Sequence, residues 1–395
     1  MVTKIINKPL TAALVFALIA LGNAGSTLYL PALINIGHDL HASNGEMQIT
    51  LACYLISFGV SQFFYGPLSD AFGRKVVLLS GCAIFMVGSI LSAVSTNVDC
   101  FIVGRLIEGL GIGSANTVGY AIIRDIYKGD QLSKIMSYAS VFVGLTPILA
   151  PLIGGYLVEY IDWQACFWFL FLVAVILFML SHFKLLETNQ HLNSKACSPR
   201  EMMKNYFQLL SSGAYLGNVL CTSFAFSALI AINTMLPFLT TEQFHLTPSV
   251  YGIVTIFTGC GYFSGAYLSG ILSIKFGRLQ TIFIGCTIQF VILILSFLHG
   301  FEDLSLVTIV ATFALFLHGV GMIVPTGTGG SMEPFPQIAG SEAAMLGVIM
   351  YSISALFTAI CSHVSKNSSE GTIILLCVIT CLTILSACIV KKSKA

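Results

Sequence analysis

Long apolar stretches separated by short polar ones run the length of the chain. Twelve of them reach the roughly 20 residues that a helix needs to cross a bilayer. They cover 9–34, 47–67, 76–95, 100–123, 133–157, 164–183, 213–240, 248–273, 279–299, 304–325, 341–363 and 370–390. The fifth and seventh are long enough to include interfacial turns. The longest polar stretch, HFKLLETNQHLNSKACSPREMMKN at 182–205, follows the sixth and divides the spans six and six. The pattern predicts an all-α membrane protein with a six-helix bundle over 1–183 and another over 211–395. Between them, 184–210 reads as a cytoplasmic linker with a short surface helix. No loop approaches the roughly 50 residues of a soluble domain.

Charge placement orients this map. With the N-terminus inside, sixteen of the eighteen basic residues are cytoplasmic: Lys4, Lys8, Arg74, Lys75, Arg124, Lys128, Lys134, Lys184, Lys195, Arg200, Lys204, Lys275, Arg278, Lys391, Lys392 and Lys394. Only Lys366 falls outside and only Arg105 falls within a span. The outer loops carry acids instead: Asp39, Glu46, Asp99, Glu159, Asp162, Glu242, Glu302 and Asp303. That asymmetry is the positive-inside rule, and it predicts a multi-pass inner (plasma) membrane protein with both termini cytoplasmic.

Composition agrees. The chain is 56% hydrophobic and 9% charged, where soluble domains carry about 25% charge, and its mean hydropathy is +0.91. A net charge of +1 gives no reason to expect a nucleic-acid partner. Seven of the twelve cysteines (Cys53, Cys82, Cys221, Cys260, Cys286, Cys377 and Cys381) sit in apolar runs with no zinc-like spacing to histidine, so packing is the expected role. Cys377 and Cys381 share a helix face that could suit a soft metal, but no metal or cofactor is expected. The N-terminal stretch MVTKIINKPLTAALVFALIALG resembles a signal peptide, yet its apolar run continues to about Ile36. It reads as an uncleaved first span.

An internal repeat marks the two halves. GPLSDAFGR at 66–74 recurs as GILSIKFGR at 270–278. Gly66, Leu68, Ser69, Phe72, Gly73 and Arg74 return as Gly270, Leu272, Ser273, Phe276, Gly277 and Arg278, a constant offset of 204. Both copies lie between the second and third spans of their half. Two parallel six-span halves are the architecture of a rocking transporter.

Those residues carry a resemblance. GPLSDAFGRK is similar to the second-to-third-helix loop signature of the major facilitator superfamily. RLIEGLG (105–111) resembles its fourth-helix motif around an intramembrane arginine. GLTPILAPLIGG (144–155) looks like the fifth-helix signature of drug/proton antiporters. GMIVPTGTGGSMEPFPQIAGSEAAMLG (321–347), YLPAL (29–33) and AIIRDIY (121–127) are similar to the Bcr/CflA drug-resistance branch. The resemblance implies the major facilitator fold and alternating access. It also implies proton-coupled export of amphipathic drug-like small molecules by a monomer, the proton being the coupling ion. An importer or facilitator of a metabolite or metal chelator stays open, as does a non-transporting membrane sensor. No nucleophile–base set, nucleotide loop or metal cluster suggests an enzyme.

Three groups of residues carry the expected chemistry. In the first loop, Gly66 and Gly73 allow tight turns, while Asp70, Arg74 and Lys75 sit at the inner face. The resemblance implies a conformational latch in which Asp70 and Arg74 meet the acid after the fourth span, here Asp125. The second copy has Ile274 in place of Asp70, so a weaker latch is expected there. In the fifth span, Gly144, Pro147, Pro151, Gly154 and Gly155 thin one face and offer a hinge, and the resemblance implies a seal between halves.

The third group centres on Arg105 and Glu108, three residues apart on one helical face. A charge at mid-membrane costs about 2.5–3.5 kcal/mol on insertion scales, so this face should meet a partner or a water-filled cavity. The branch usually has an aspartate in TDMYLP on the first helix, and this chain reads STLYLP with Thr27 at that place. Threonine cannot carry a proton, so the expectation is that Glu108 alternates between Arg105 and a proton. A chain that has lost coupling remains the competing reading. Further cavity candidates are Asn23, Tyr29, Asn116, Tyr120, Asn233 and, as a reserve proton carrier, His318. Phe224, Phe226, Phe257 and Tyr351 could form an aromatic wall. Glu342, opening the eleventh span, is expected to complement the helix macrodipole.

Overall fold

The structure is a computed structural model that describes residues 7–189, 192, 198–299, 305–333, 335, 338–364 and 369–393. Lys4, Lys195, Lys366, Lys394, Glu302 and Asp303 lie outside the described residues, as do the side chains of Lys134, Arg200, Glu242 and Lys392. The helices are α1 (Lys8–Thr27), α2 (Leu33–Asp39), α3 (Asn44–Phe72), α4 (Arg74–Ala93), α5 (Val98–Ile126), α6 (Gly129–Tyr160) and α7 (Gln164–Lys184). After them come α8 (Pro199–Leu210), α9 (Gly213–Phe238), α10 (Pro248–Phe276), α11 (Arg278–His299), α12 (Leu306–Met332), α13 (Ala339–Val364) and α14 (Ser369–Ser393).

Each apolar stretch becomes one long helix, with one interruption. The first stretch breaks into α1, a single tight turn at Leu30–Ala32 and α2, which runs on to Asp39 rather than ending at 34. Pro31 explains the break: it sits at the start of the tight turn, where its missing N–H costs no helical bond. The linker helix is α8, whose residues are polar on one side and place Tyr206 and Leu209 against the protein. Nine helices among the described residues are long and apolar enough to cross a membrane. Of the other three, α6 is described only in part, while α5 and α10 are rich in glycine and α5 also carries Arg105 and Glu108. Glycine dilutes hydropathy while letting helices approach closely, and α5, α6 and α10 all make close approaches described below.

Contacts sort the helices into two bundles. In the first, α5 packs against α1, α3 and α4, and α4 against α7; in the second, α12 packs against α9, α10 and α11, and α14 against α9. Two seams join the bundles, α3 with α13 and α6 with α10. The repeat is visible in the backbone. Gly73 and Gly277 end α3 and α10 at φ of 99° and 89°, a region open to glycine and strained for other residues. Their N–H groups donate to Ser69 and Ser273 carbonyls at 3.2 and 3.1 Å.

Candidate transport site

The charged pair lies at the centre of the first bundle. Asn97 caps the start of α5 by accepting the Cys100 N–H at 2.9 Å, and Arg105 and Glu108 lie on the buried face of that helix. Small residues then let the neighbours close in. Gly104 leaves room for Ser92 of α4, and Gly88 of α4 leaves room for Glu108, so an added methyl at either would overlap those atoms. Arg105 and Glu108 are both 0% exposed. The Arg105 Nη1 donates to Glu108 Oε2, and Nη2 donates to the Gly25 carbonyl of α1 at 2.7 Å. The guanidinium lies 4.3 Å from the ring centroids of both Tyr29 and Tyr54 and 5.6 Å from Phe167. Desolvated cation–π contacts contribute about 2 kcal/mol each. The rings are themselves fixed: the Tyr54 hydroxyl donates to the Gly22 carbonyl at 2.5 Å, and the Tyr29 hydroxyl is 3.2 Å from Thr50 Oγ1.

This centre meets a partner rather than water, the first of the two environments expected for it. Of the other candidates, only Tyr29 touches the pair, while Asn23 and Thr27 flank it through α1. The Thr27 hydroxyl is spent on the Asn23 carbonyl at 3.2 Å, and Asn23 Nδ2 bonds the Ile19 carbonyl at 2.9 Å. Asn116 turns to Gln62 of α3 at 3.4 Å. Tyr120 is within electrostatic reach of Arg124 and Tyr351. Asn233 is buried and gives its backbone carbonyl to the Tyr251 hydroxyl at 3.3 Å. His318 Nδ1 lies 2.8 Å from Ser264 Oγ at the α10–α12 seam. The structure therefore brings Arg105, Glu108 and Tyr29 together and leaves Asn116, Tyr120, Asn233 and His318 in separate local contacts. Tyr54 and Phe167 complete the cage. Neither stood out in the sequence, because an aromatic within an apolar run reads like any lipid-facing ring.

The aromatic candidates also divide. Tyr351 of α13 has its ring centroid 4.4 Å from Phe58 of α3, across the bundle seam, and 5.7 Å from Phe226 of α9 in its own bundle. Phe224 instead packs on Phe357 at 6.1 Å. Phe257 is exposed on the α10 face that also carries exposed Ile253, Tyr267 and Ile271, so it belongs to the outer surface and not to a wall. Cys377 and Cys381 line a groove of about 470 Å³ with Leu293, Ile294, Phe297 and other apolar residues of α11 and α14.

The loop after α3 forms a compact charged knot. Arg74 Nη1 lies 2.5 Å from Asp70 Oδ1 and its Nε 3.3 Å from Asp125 Oδ2, and it also donates to Ser69 Oγ at 2.6 Å. Lys75 Nζ donates to the His182 carbonyl at 2.7 Å. Gly66 faces Thr117 of α5. An unanticipated member is Glu187, just past α7. Its carboxylate accepts the backbone N–H groups of Arg74 and Lys75 at 3.0 and 3.1 Å, satisfying two orphan donors at the start of α4. Thr188 and Asn189 add bonds to Asp125 and to the Asp70 carbonyl. In the second copy, Arg278 pairs with Glu333 at 2.6 Å, an acid at the end of α12 in the place that Asp125 holds at the end of α5, while Ile274 leaves the Asp70 partner without a counterpart.

The small-residue face of α6 meets α10 and the end of α1. Gly144 lies against the Phe263 ring, Gly154 against the Leu28 carbonyl and Gly155 against the Pro248 carbonyl. Gly252 of α10 answers with close approach to Pro151 and Leu152. Pro147 and Pro151 lie within α6, which stays one continuous helix. At the end of this seam Glu159 accepts the Ser249 N–H at 3.1 Å, and hydrogen bonds from Ser249 hold its carboxyl below the ordinary range. Glu342 keeps its expected place in the first turn of α13, but it is 1% exposed and lies 3.0 Å from Ser331 Oγ of α12.

Two repeated six-helix bundles that meet along two seams, one enclosing a buried ion pair, define a polytopic membrane transporter of the alternating-access kind. The sequence pattern of the Major Facilitator Superfamily matches residues 13–388. The chain belongs to that superfamily. It is 30% identical over 332 residues to multidrug resistance protein D of Escherichia coli (strain K12), covering 84% of this chain and 82% of that protein. It is 26% identical over 348 residues to a bicyclomycin resistance protein homolog of Haemophilus influenzae, covering 87% of each. Among solved structures, a D-xylose-proton symporter superposes with a TM-score of 0.77 at 15% identity over 95% of each chain. An inward-open structure of the xylose transporter XylE from E. coli gives 0.76 at 16% identity, over 96% of this chain and 95% of that one. These two likenesses concern the fold.

Proposed function

We propose that the protein exports amphipathic drug-like compounds across the inner membrane in exchange for protons, with both termini in the cytoplasm. The resistance proteins it resembles support the substrate class. The observation that carries the coupling is the Arg105–Glu108 pair, buried from solvent in the interior of a membrane-spanning helix. Glu108 can balance Arg105 or hold a proton, and each state has a different charge. Removing one member of a dry pair leaves an uncompensated charge, so a proton on Glu108 obliges Arg105 to find another anion, dipole or water. Opening the bundle to solvent supplies it. The proton and the movement are then coupled through one charge.

Thr27 favours a second reading, an uncoupled facilitator or importer, because its hydroxyl is spent on the Asn23 carbonyl and α1 offers no acid. Everted vesicles separate the two. With a panel of lipophilic cations and metal chelators, the antiporter releases protons on substrate addition, and Glu108→Gln abolishes the release while substrate still binds. Substrate flux with no proton movement in the wild type refutes the antiporter. Proton release unchanged in Glu108→Gln removes Glu108 from the coupling.

A further inference from the structure

A second buried carboxyl lies away from Arg105. Glu342 sits in the first turn of α13. Oε1 lies 3.0 Å from Ser331 Oγ, and Oε2 has no hydrogen-bond partner. The helices around it leave it isolated. From α9 the Tyr215 hydroxyl donates to the Glu342 backbone carbonyl at 3.0 Å. From α12 comes the neutral Ser331 hydroxyl. Beside it, Tyr215, Val219, Met345 and Leu346 form a small apolar cluster with the linker residues Tyr206 and Leu209. Among the described residues, the charged group acting on it is Arg124 of α5, in the opposite bundle, with the Tyr215 phenol the other titratable neighbour.

The hydroxyl hydrogen of Ser331 decides the resident state. It is within reach of two acceptors, the Thr328 carbonyl at 2.9 Å and Glu342 Oε1 at 3.0 Å. A serine has one hydrogen and two lone pairs. Both contacts are satisfied together when Glu342 is protonated and donates to Ser331, which donates onward to Thr328. An ionised Glu342 leaves one contact unmade and a buried charge beside apolar rings. Arg124 is the mirror case: among the described residues it is half-buried with no carboxylate within 4.0 Å. Its neighbour Asp125 is taken by Arg74. Two ionisable side chains on opposite bundles thus lack an ion partner among the described residues, and the helices that carry them, α5 and α13, touch.

We propose that Glu342 is a proton-binding site that exchanges its proton for the Arg124 guanidinium, so that deprotonation draws α13 onto α5 and protonation releases it. The proton leaves to water at the linker face, and the negative charge it leaves behind is taken up by Arg124 across the seam. Transport that cycles through protonation would then sense the proton at two depths, Glu108 within a bundle and Glu342 between bundles. The inference deepens the proton-coupled reading above. Its test reads the carboxyl itself and not flux, so the two can fail separately.

Infrared difference spectra of the full chain in nanodiscs, titrated in pH, follow protonated carboxyls. The wild type is expected to show a carboxyl band that disappears as pH rises; Glu342→Gln loses it, while Glu108→Gln keeps it. Ser331→Ala tests the donor direction should Glu342→Gln fold poorly: losing an acceptor for the carboxyl proton moves the band's midpoint to lower pH. Arg124→Gln moves it to higher pH. A titrating band that is unchanged in amplitude in Glu342→Gln and survives in the Glu108→Gln/Glu342→Gln double variant, or a midpoint that rises in Ser331→Ala, overturns the assignment. Thermal midpoints of Glu342→Gln, Arg124→Gln and the double variant test the exchange. They are expected to be non-additive above the wild-type midpoint and additive below it, and additivity at both refutes pairing with Arg124.

Discussion

Replacing Glu108 by glutamine isolates what the charged pair is worth. The substitution keeps the shape and an acceptor for Arg105 but removes the one carboxylate that, among the described residues, lies beside a guanidinium that is 0% exposed. Arginine cannot shed its proton in a protein, so the charge stays. Breaking a buried pair from one side costs about 3–5 kcal/mol. The glutamine oxygen restores one hydrogen bond to a charged donor, about 1.5 kcal/mol, and leaves a net loss of about 1.5–3.5 kcal/mol. The bond to Gly25 and the contacts with Tyr29 and Tyr54 persist, so the variant still folds. Arg105→Gln leaves a carboxyl that can neutralise itself with a proton from water, and about 1–3 kcal/mol is expected. The double variant places two amides that can bond each other, so it should be more stable than the sum of the singles by about 2 kcal/mol or more. Reversible unfolding in mixed micelles at neutral pH measures all three. Additivity within about 0.5 kcal/mol, or a Glu108→Gln protein as stable as wild type, would show that the pair is solvated and sink the dry-pair argument.

Three smaller changes test other parts of the site. Glu187→Ala removes the exposed carboxylate that accepts the Arg74 and Lys75 N–H groups. The expected loss is about 0.5–1 kcal/mol, with faster hydrogen exchange confined to the first turn of α4; unchanged exchange there contradicts the cap. Gly155→Val drives a branched side chain into the Pro248 carbonyl, so cross-linking between the facing ends of α6 and α10 should fall and thermal stability with it. Tyr206 gives a pH signature. Burial pushes its phenol up to about 12, from an ordinary 10.0, while its hydroxyl donates to the Phe63 carbonyl at 3.3 Å. The raised folded value means its contribution is complete below pH 10 and is lost as pH climbs toward 12, about 3 kcal/mol in all. Tyr206→Phe should therefore be less sensitive to alkali than wild type over that window, and an equal slope refutes the link.

The sequence carried the helices because hydropathy is a property of each stretch by itself. It carried the Gly73 and Gly277 correspondence because a fixed offset needs no coordinates, and it paired Arg105 with Glu108 because three residues make one face. What it could not carry were relations between helices. Tyr54 and Phe167 cage a guanidinium, yet each lies in a run where any aromatic would pass for lipid contact. Glu187 looked like linker, since nothing in LLETNQ says that it returns to the start of α4. Phe257 and Tyr351 are both aromatics in apolar spans; only helix packing sends one to the surface and the other to the seam. Glu342 was legible in part. A local rule, acid in a first turn, placed it at the start of α13, while its contact with a hydroxyl on α12 is again a relation between helices.

The distribution of charge also explains how such a molecule can hold together and still move. Among the described residues every ion pair lies within a single bundle: Arg74 with Asp70 and Asp125, Arg105 with Glu108, His38 with Asp39 in the first, Arg278 with Glu333 in the second. The seams use other materials. Between α6 and α10 glycines meet backbone carbonyls, and between α3 and α13 the Phe58 ring meets Tyr351. Contacts of that kind are individually weak and tolerant of sliding, whereas a buried ion pair resists any motion that separates it. Bundles braced by charge and joined by packing can rock as units, with the seams exchanging one set of small contacts for another. On this argument an ion pair introduced across a seam, for example by Gly252→Asp with Leu152→Lys, should slow turnover far more than it raises stability. A variant that gains stability and keeps its transport rate would show that the seams do not move.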